Sequence, residues 1–250
     1  MRLKLIACEV MYRELCWTLA RSPHQVDAEF LPKGLHDLGA TPMLERLQAV
    51  VDAVDESRYD GILLGYALCG NGVVGLRARQ IPLVIPRAHD CIALFLGSRE
   101  RYQEYFDSHP GAYFATTGWL ERGADPESAG QLSIQSRTGM TSSFEELKQR
   151  FGEDNARYVW DQLCNYTRNY RQVTFIEMGL EPDGRFELLA RKQAEQRLWD
   201  FEKEQGDLGL IRRLVEGEWP AADFLIVPPG HMIRPTYDDT IVGAVPAKVE

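Results

Sequence analysis

The sequence alternates between short apolar runs and stretches with helical periodicity, and this alternation limits the fold more than any other feature. Apolar residues recur every three or four positions at 12–19 and 41–54, as one face of a helix requires. Strand-like runs lie at 3–8, 26–32, 61–69 and 82–86. Such an alternation predicts parallel strands joined by right-handed crossovers. We therefore expect an α/β fold with a mostly parallel sheet and flanking helices, in a Rossmann-like arrangement.

The second half of the chain is less regular and leaves the number of domains open. A capping box at Ser142–Glu145 predicts a long helix to about Arg168, and 188–205 also has a helical pattern. A strand-like run at 111–121 precedes a turn-rich segment, which is the expected hinge. We expect residues 1–121 to form one α/β lobe that carries the cysteine and histidine motifs. Residues 142–250 would then form a second lobe or complete the same sheet.

Composition excludes several classes of protein. At 250 residues the chain is long enough to bury a core, and its net charge of −9 disfavours a nucleic-acid partner. No apolar run reaches the roughly 18–20 residues that a membrane span needs. The first residues read directly as a strand rather than as a secretion signal. The expectation is a cytoplasmic protein that binds neither nucleic acid nor membranes.

Three cysteines follow three predicted strands at the point where each strand ends. These are Cys8, Cys69 and Cys91, whereas Cys16 and Cys164 lie in helical apolar stripes and fit the core. Five cysteines without a secretion signal make disulfides improbable and leave thiols for metal or catalysis. Because ligand sites in parallel sheets lie outside the carboxyl ends of the strands, we expect the three thiols to share one site.

Three thiolates from separate loops suit a metal that keeps one open coordination position. The pattern fits a four-iron, four-sulfur cluster with one iron not ligated by cysteine, or zinc as the alternative. Cys8, Cys69 and Cys91 are the expected ligands. Beside them His89 and Asp90 would orient a ligand or move a proton, and Arg87 would balance charge.

Basic side chains at the same edge predict a small anionic ligand. Arg13, Lys33 and His36 are the candidates for substrate binding. The alternative is that neighbouring acidic residues pair with these bases and leave the site nearly neutral.

Two other kinds of chemistry fit the same residues. A metal-free enzyme could use two cysteines as acid and base, or one cysteine activated by His89 as a nucleophile. A non-catalytic carrier or sensor could bind a metal or cofactor and pass it on. The sequence alone leaves these three possibilities open.

Five long motifs in the chain resemble a known family. ACEVMYREL, FLPKGLHDLG, LLGYALCGNGVVGL, IPLVIPRAHDCIALFLGSRERY and VPPGH are similar to domain of unknown function 1638, a bacterial and archaeal family. The similarity spans nearly the whole chain. Members of that family often occur in anaerobes beside genes for corrinoid-dependent methyl transfer. The resemblance therefore implies metal and one-carbon chemistry, with components of corrinoid methyltransferases as partners.

Overall fold

The computed structural model describes residues 1–122, 144–160 and 169–247 of the chain. The central element within them is a five-stranded sheet with the order β2-β1-β3-β4-β8, in which the first four strands are parallel and β8 is antiparallel to β4. Its strands are β1 (Arg2–Cys8), β2 (Gln25–Leu31), β3 (Gly61–Gly65), β4 (Leu83–Pro86) and β8 (Phe224–Val227).

Two smaller sheets accompany the central one. A parallel three-stranded sheet has the order β5-β6-β7, with β5 (Ala112–Thr116), β6 (Gln172–Glu177) and β7 (Asp200–Gln205). An antiparallel pair consists of β9 (His231–Pro235) and β10 (Val242–Pro246). The predicted α/β class with a mostly parallel sheet is thus confirmed. The predicted hinge falls almost wholly outside the described residues, and the division into lobes stays a prediction.

Helices flank these sheets. They are α1 (Tyr12–Leu19), α2 (Ala40–Asp52), α3 (Cys91–Leu96), α4 (Arg99–Ser108), α5 (Thr117–Glu121), α6 (Phe144–Phe151), α7 (Glu153–Val159), α8 (Arg185–Arg197) and α9 (Gly209–Glu216). Short 3₁₀ helices lie at Glu9–Met11, Lys33–Leu38 and Glu56–Arg58. No helix in the described ranges is long and apolar enough to cross a membrane.

The core lies on both faces of the central sheet because successive side chains of a strand point to opposite sides. Leu5 of β1 packs in a cluster with Leu15 of α1 and Ile211 of α9. Ile6, the next residue, packs on the other face in a cluster with Leu47 of α2. Both faces of the sheet are covered, as parallel sheets require.

The structure corrects several predicted elements. The pattern at 188–205 is not one helix, because Leu198 adopts a left-handed conformation with φ of 56° that ends α8, and β7 follows. The predicted strand at 111–121 ends at Thr116, whose side chain accepts a hydrogen bond from Trp119 N and caps α5. Between β3 and β4 the chain forms a series of turns, after which Arg77 makes an isolated bridge with Met232.

The long helix predicted from the capping box lies only partly in the described residues. Residues 142–143 and 161–168 are outside them, and so is Cys164. Between these segments Gly152, with φ of 77°, separates α6 from α7. Left-handed φ values interrupt a right-handed helix, so the pattern yields two short helices there.

Candidate functional site

The three cysteines that follow strands line one cavity of about 370 Å³. Cys8 is the last residue of β1, Cys69 lies in the loop after β3, and Cys91 begins α3 after β4. From β1 the chain crosses to β2 on one side of β1 and then places β3 on the other side of β1. The strand order therefore reverses between β1 and β3. Loops diverge at such a point and leave a crevice. Because each cysteine lies at or after the carboxyl end of its strand, the three thiols come together at this crevice.

An unusual backbone conformation fixes the loop that carries Cys69. Cys69, Gly70 and Asn71 all have positive φ, with values of 48°, 60° and 71°. For a residue other than glycine this conformation costs about 1–2 kcal/mol. Backbone hydrogen bonds offset the cost, since Leu68 N donates to Ala88 O and Cys69 N donates to His89 O, each at 2.9 Å. The loop is thereby tied to the segment that leads to Cys91.

Asp90 positions Cys91 rather than facing the cavity as a free acid. Its Oδ1 accepts a hydrogen bond from Ile92 N at 2.9 Å and caps α3. Its Oδ2 accepts a hydrogen bond from the Tyr102 hydroxyl at 3.1 Å. Both oxygens of a side chain that lines the cavity are thus engaged in holding the start of α3.

Burial suppresses ionisation of the three thiols. It raises the pKa of Cys8 from 9.0 to about 11 and that of Cys69 to about 12, and it raises the pKa of Cys91 well above 9.0. Cys8 and Cys69 each add a smaller charge effect on Cys91, so the three groups are close enough to interact. Neutral thiols are poor nucleophiles, whereas a bound metal cation would deprotonate them.

The donor chemistry of the cavity fits a thiophilic metal, but the spacing does not match a single ion. Zinc bonded to three sulfurs at about 2.3 Å would hold those sulfurs about 3.8 Å apart. In the part of the chain that the structure describes, no three His, Cys, Asp or Glu side chains are grouped as a metal ion would need.

Aromatic residues form the other side of the cavity. They come from α4, from β5 and α5, and from the position two residues before β6: Tyr102, Phe106, Tyr113, Phe114, Trp119 and Tyr170. The cavity therefore lies between the carboxyl edge of the central sheet and the three-stranded sheet. We call these six residues the aromatic wall. Sequence reasoning missed them, although five of the six fall within 18 residues of one another.

Lys33 is the predicted substrate-binding residue that lines the cavity without an ion-pair partner among the described residues. Its Nζ lies 4.1 Å from the centre of the Trp119 ring. Burial lowers its pKa, which the more distant charges of Asp37, Cys8 and Glu9 partly counteract. Among the described residues no carboxylate forms an ion pair with this ammonium group. The other lining base, His36, is half-exposed and lies 3.6 Å from Asp37.

Three other predicted site residues do not line the cavity. Arg13 donates two hydrogen bonds to Glu121, at 2.9 and 2.7 Å. Arg87 donates to the carbonyls of Ala221, Phe224, Thr240 and Val242 and so ties β8 and β10 to the end of β4. The side chain of His89 is exposed.

Tyr66 is a lining residue that sequence reasoning did not single out. It directly follows β3, it is only 4% exposed, and its hydroxyl has no hydrogen-bond partner among the described residues. Burial, followed by the nearby thiols of Cys8 and Cys69, raises its pKa, so the hydroxyl stays a donor. One sequence feature could have identified Tyr66: it directly follows a fully apolar strand and lies three residues before a candidate metal ligand.

Helix α5 holds the aromatic wall against the central sheet. Glu9 accepts a hydrogen bond from Lys33 N at 2.9 Å and lies 3.5 Å from an Arg122 nitrogen. Gly118 packs so closely on the backbone that a Cβ atom there would lie 1.8 Å from Val10 O. Together with the Arg13–Glu121 pair, these contacts fix Trp119 opposite the cysteines.

Comparison with known proteins identifies a family for the chain. No curated protein and no solved structure matches the chain significantly. The sequence pattern of the family described as "Protein of unknown function (DUF1638)" matches residues 30–215. This range covers most of the chain and includes Cys69, Cys91, Tyr66 and the aromatic wall. The chain belongs to the DUF1638 family of proteins of unknown function.

Proposed function

We propose that the chain binds an iron–sulfur cluster of the 4Fe–4S type through Cys8, Cys69 and Cys91 and acts on a small molecule in the adjoining cavity. One observation carries the proposal: thiols from three separate strand ends line a single cavity. With three cysteine ligands, such a cluster offers one iron for electron transfer to a substrate or for Lewis-acid activation. One-carbon or methyl-transfer metabolism in the cytoplasm, with corrinoid methyltransferase components as partners, is the setting we propose.

The chain's own residues supply the surroundings that such a group needs. The positive-φ loop at Cys69 and the Asp90 cap at Cys91 hold two of the thiols on rigid supports. The aromatic wall gives the cavity an apolar side opposite the thiols. Lys33 offsets negative charge that a thiolate-bound group would bring.

Zinc remains the alternative metal, and a metal-free enzyme is the second candidate function. Thiol chemistry without a metal is supported by the lack, in the described residues, of side chains grouped around a single ion position. Against it, burial raises the pKa of all three thiols, and among the described residues no histidine is hydrogen-bonded to any of them to act as a base. A carrier or sensor would use the same thiols without a reaction.

Metal analysis of protein purified without oxygen tests the proposal. We expect iron and acid-labile sulfide in the wild type, and a large loss of both in Cys69→Ser. Cys16→Ser is the matched control, because Cys16 lies in α1 and does not line the cavity. Colourless, metal-free protein from iron-replete, oxygen-free cells would reject a metal function. Zinc without sulfide would select the alternative metal.

A further inference from the structure

We infer that the cavity takes a small monoanionic carboxylate with a flat apolar body, held by the Lys33 ammonium and the Tyr66 hydroxyl at its charged end and by the aromatic wall along its body. This inference rests on the proposed function in taking the cavity as the substrate site. It adds the chemical class of the substrate and a residue, Tyr66, that contacts it.

The Tyr66 hydroxyl is the first observation that points to a bound acceptor. A buried hydroxyl without a partner destabilises the fold, and native proteins retain few such groups. Tyr66 lines the cavity, and its buried hydroxyl finds no acceptor among the described residues. A ligand oxygen within the cavity would accept its hydrogen bond and remove the cost.

Lys33 is the second, independent observation. Its ammonium group is half-buried, faces the cavity and has no carboxylate partner in the described residues. Contact with the Trp119 ring offsets only part of the lost hydration. An anion beside it would restore the missing charge partner.

The nearby charges favour a monoanion over a phosphate dianion. Glu9 and Asp37 act on Lys33 from a distance, and the carboxylate of Asp90 lines the same cavity. The single ammonium group can pair with one negative charge on the ligand, whereas the nearby carboxylates would repel a second. Tyr66 and Lys33 together offer the donors that a single carboxylate can use.

The volume and the lining of the rest of the cavity determine which kind of ligand body fits there. A volume of about 370 Å³ lies at the small end of ligand pockets, which span about 300–1,000 Å³. The aromatic wall surrounds this space with rings, and rings bind flat unsaturated groups by stacking or edge contacts. A purely polar anion such as acetate would leave the wall facing water.

Binding to wild-type protein purified without oxygen tests the inference by isothermal titration calorimetry. The probes are 3-phenylpropionate, its neutral analogue 3-phenylpropanol, its short analogue propionate, and phenyl phosphate. We expect 3-phenylpropionate to bind about tenfold or more tightly than each of the others, the gain expected of one charge-assisted contact. Equal binding of acid and alcohol, or tighter binding of phenyl phosphate, would overturn the inference.

Variants assign the contacts. Lys33→Met keeps the long side chain on Trp119 and should abolish the preference for acid over alcohol. Tyr66→Phe should weaken the acid several-fold and leave the alcohol less affected. Lys192→Met and Tyr237→Phe, both on exposed residues, are the controls. A preference for the acid that survives in Lys33→Met refutes the assignment.

The outcome is separate from that of the metal analysis. A metal-containing protein without acid preference would refute only the ligand class. A metal-free protein with acid preference would refute only the cluster.

Discussion

The buried carboxyl group of Glu14 allows a test of the fold through the pH dependence of the free energy of unfolding. It is 1% exposed, and its Oε2 has no hydrogen-bond partner among the described residues. Burial raises its pKa from 4.5 to about 7, and the charges of Glu181 and Glu121 add to the rise. The difference corresponds to about 3 kcal/mol, since one pKa unit is worth about 1.4 kcal/mol.

The sign follows from proton binding. Between pH 4.5 and about 7 the folded chain holds a proton on Glu14 that the unfolded chain has released, so unfolding becomes easier as pH rises. The contribution is fully present below pH 4.5 and lost above about pH 7. Glu14→Gln keeps the shape of the side chain but has no proton to lose.

Urea unfolding at several values between pH 4 and pH 8 measures the effect. Subtracting the free energy of unfolding of the Glu14→Gln variant from that of the wild type cancels the groups that both proteins share. We expect this difference to fall by about 3 kcal/mol across the range. Glu45→Gln, at an exposed position of α2, is the control and should show no such trend. A difference for Glu14→Gln that stays constant with pH would refute the assigned burial.

Two further substitutions separate structural from functional residues. Arg87→Ala should lower the free energy of unfolding by about 2 kcal/mol, because four backbone carbonyls lose a charged donor, while metal content and 3-phenylpropionate affinity stay unchanged. If Arg87→Ala weakened ligand binding and left stability unchanged, Arg87 would belong to the ligand site after all. Gly118→Ala should destabilise by on the order of 3 kcal/mol, because the new Cβ meets Val10 O, which belongs to the backbone and cannot rotate away. Wild-type stability in Gly118→Ala would show that α5 does not pack on the 3₁₀ turn that contains Val10.

The cysteine positions were predictable because a general rule of parallel sheets fixes them. Cys8, Cys69 and Cys91 each follow a strand of one sheet, and the carboxyl ends of parallel strands share an edge. Lys33 and His36 follow β2 at the same edge and also reach the cavity. No knowledge of side-chain packing was needed for these residues.

The positions of the remaining residues are set by contacts between parts of the chain that are distant in sequence. Arg87 is close in sequence to Cys91, yet its guanidinium points to carbonyls more than 130 positions later. The aromatic wall comes from the three-stranded sheet and the helices beside it, and no local pattern states which parts of the chain face each other. The helical pattern at 188–205 extends over β7 because residues 200–205 are rich in Glu, Lys and Gln, which favour helices. β7 lies at the edge of its sheet, where charged side chains remain solvated.

The central claim is that Cys8, Cys69 and Cys91 are ligands of one metal group. X-ray absorption at the K-edge of the metal that the oxygen-free protein retains tests this most directly. We predict a first shell dominated by sulfur at about 2.3 Å. Cys8→Ser, Cys69→Ser and Cys91→Ser should each alter that shell, whereas Cys16→Ser should leave it unchanged. A shell of nitrogen and oxygen, or one that none of the three substitutions alters, would contradict the account.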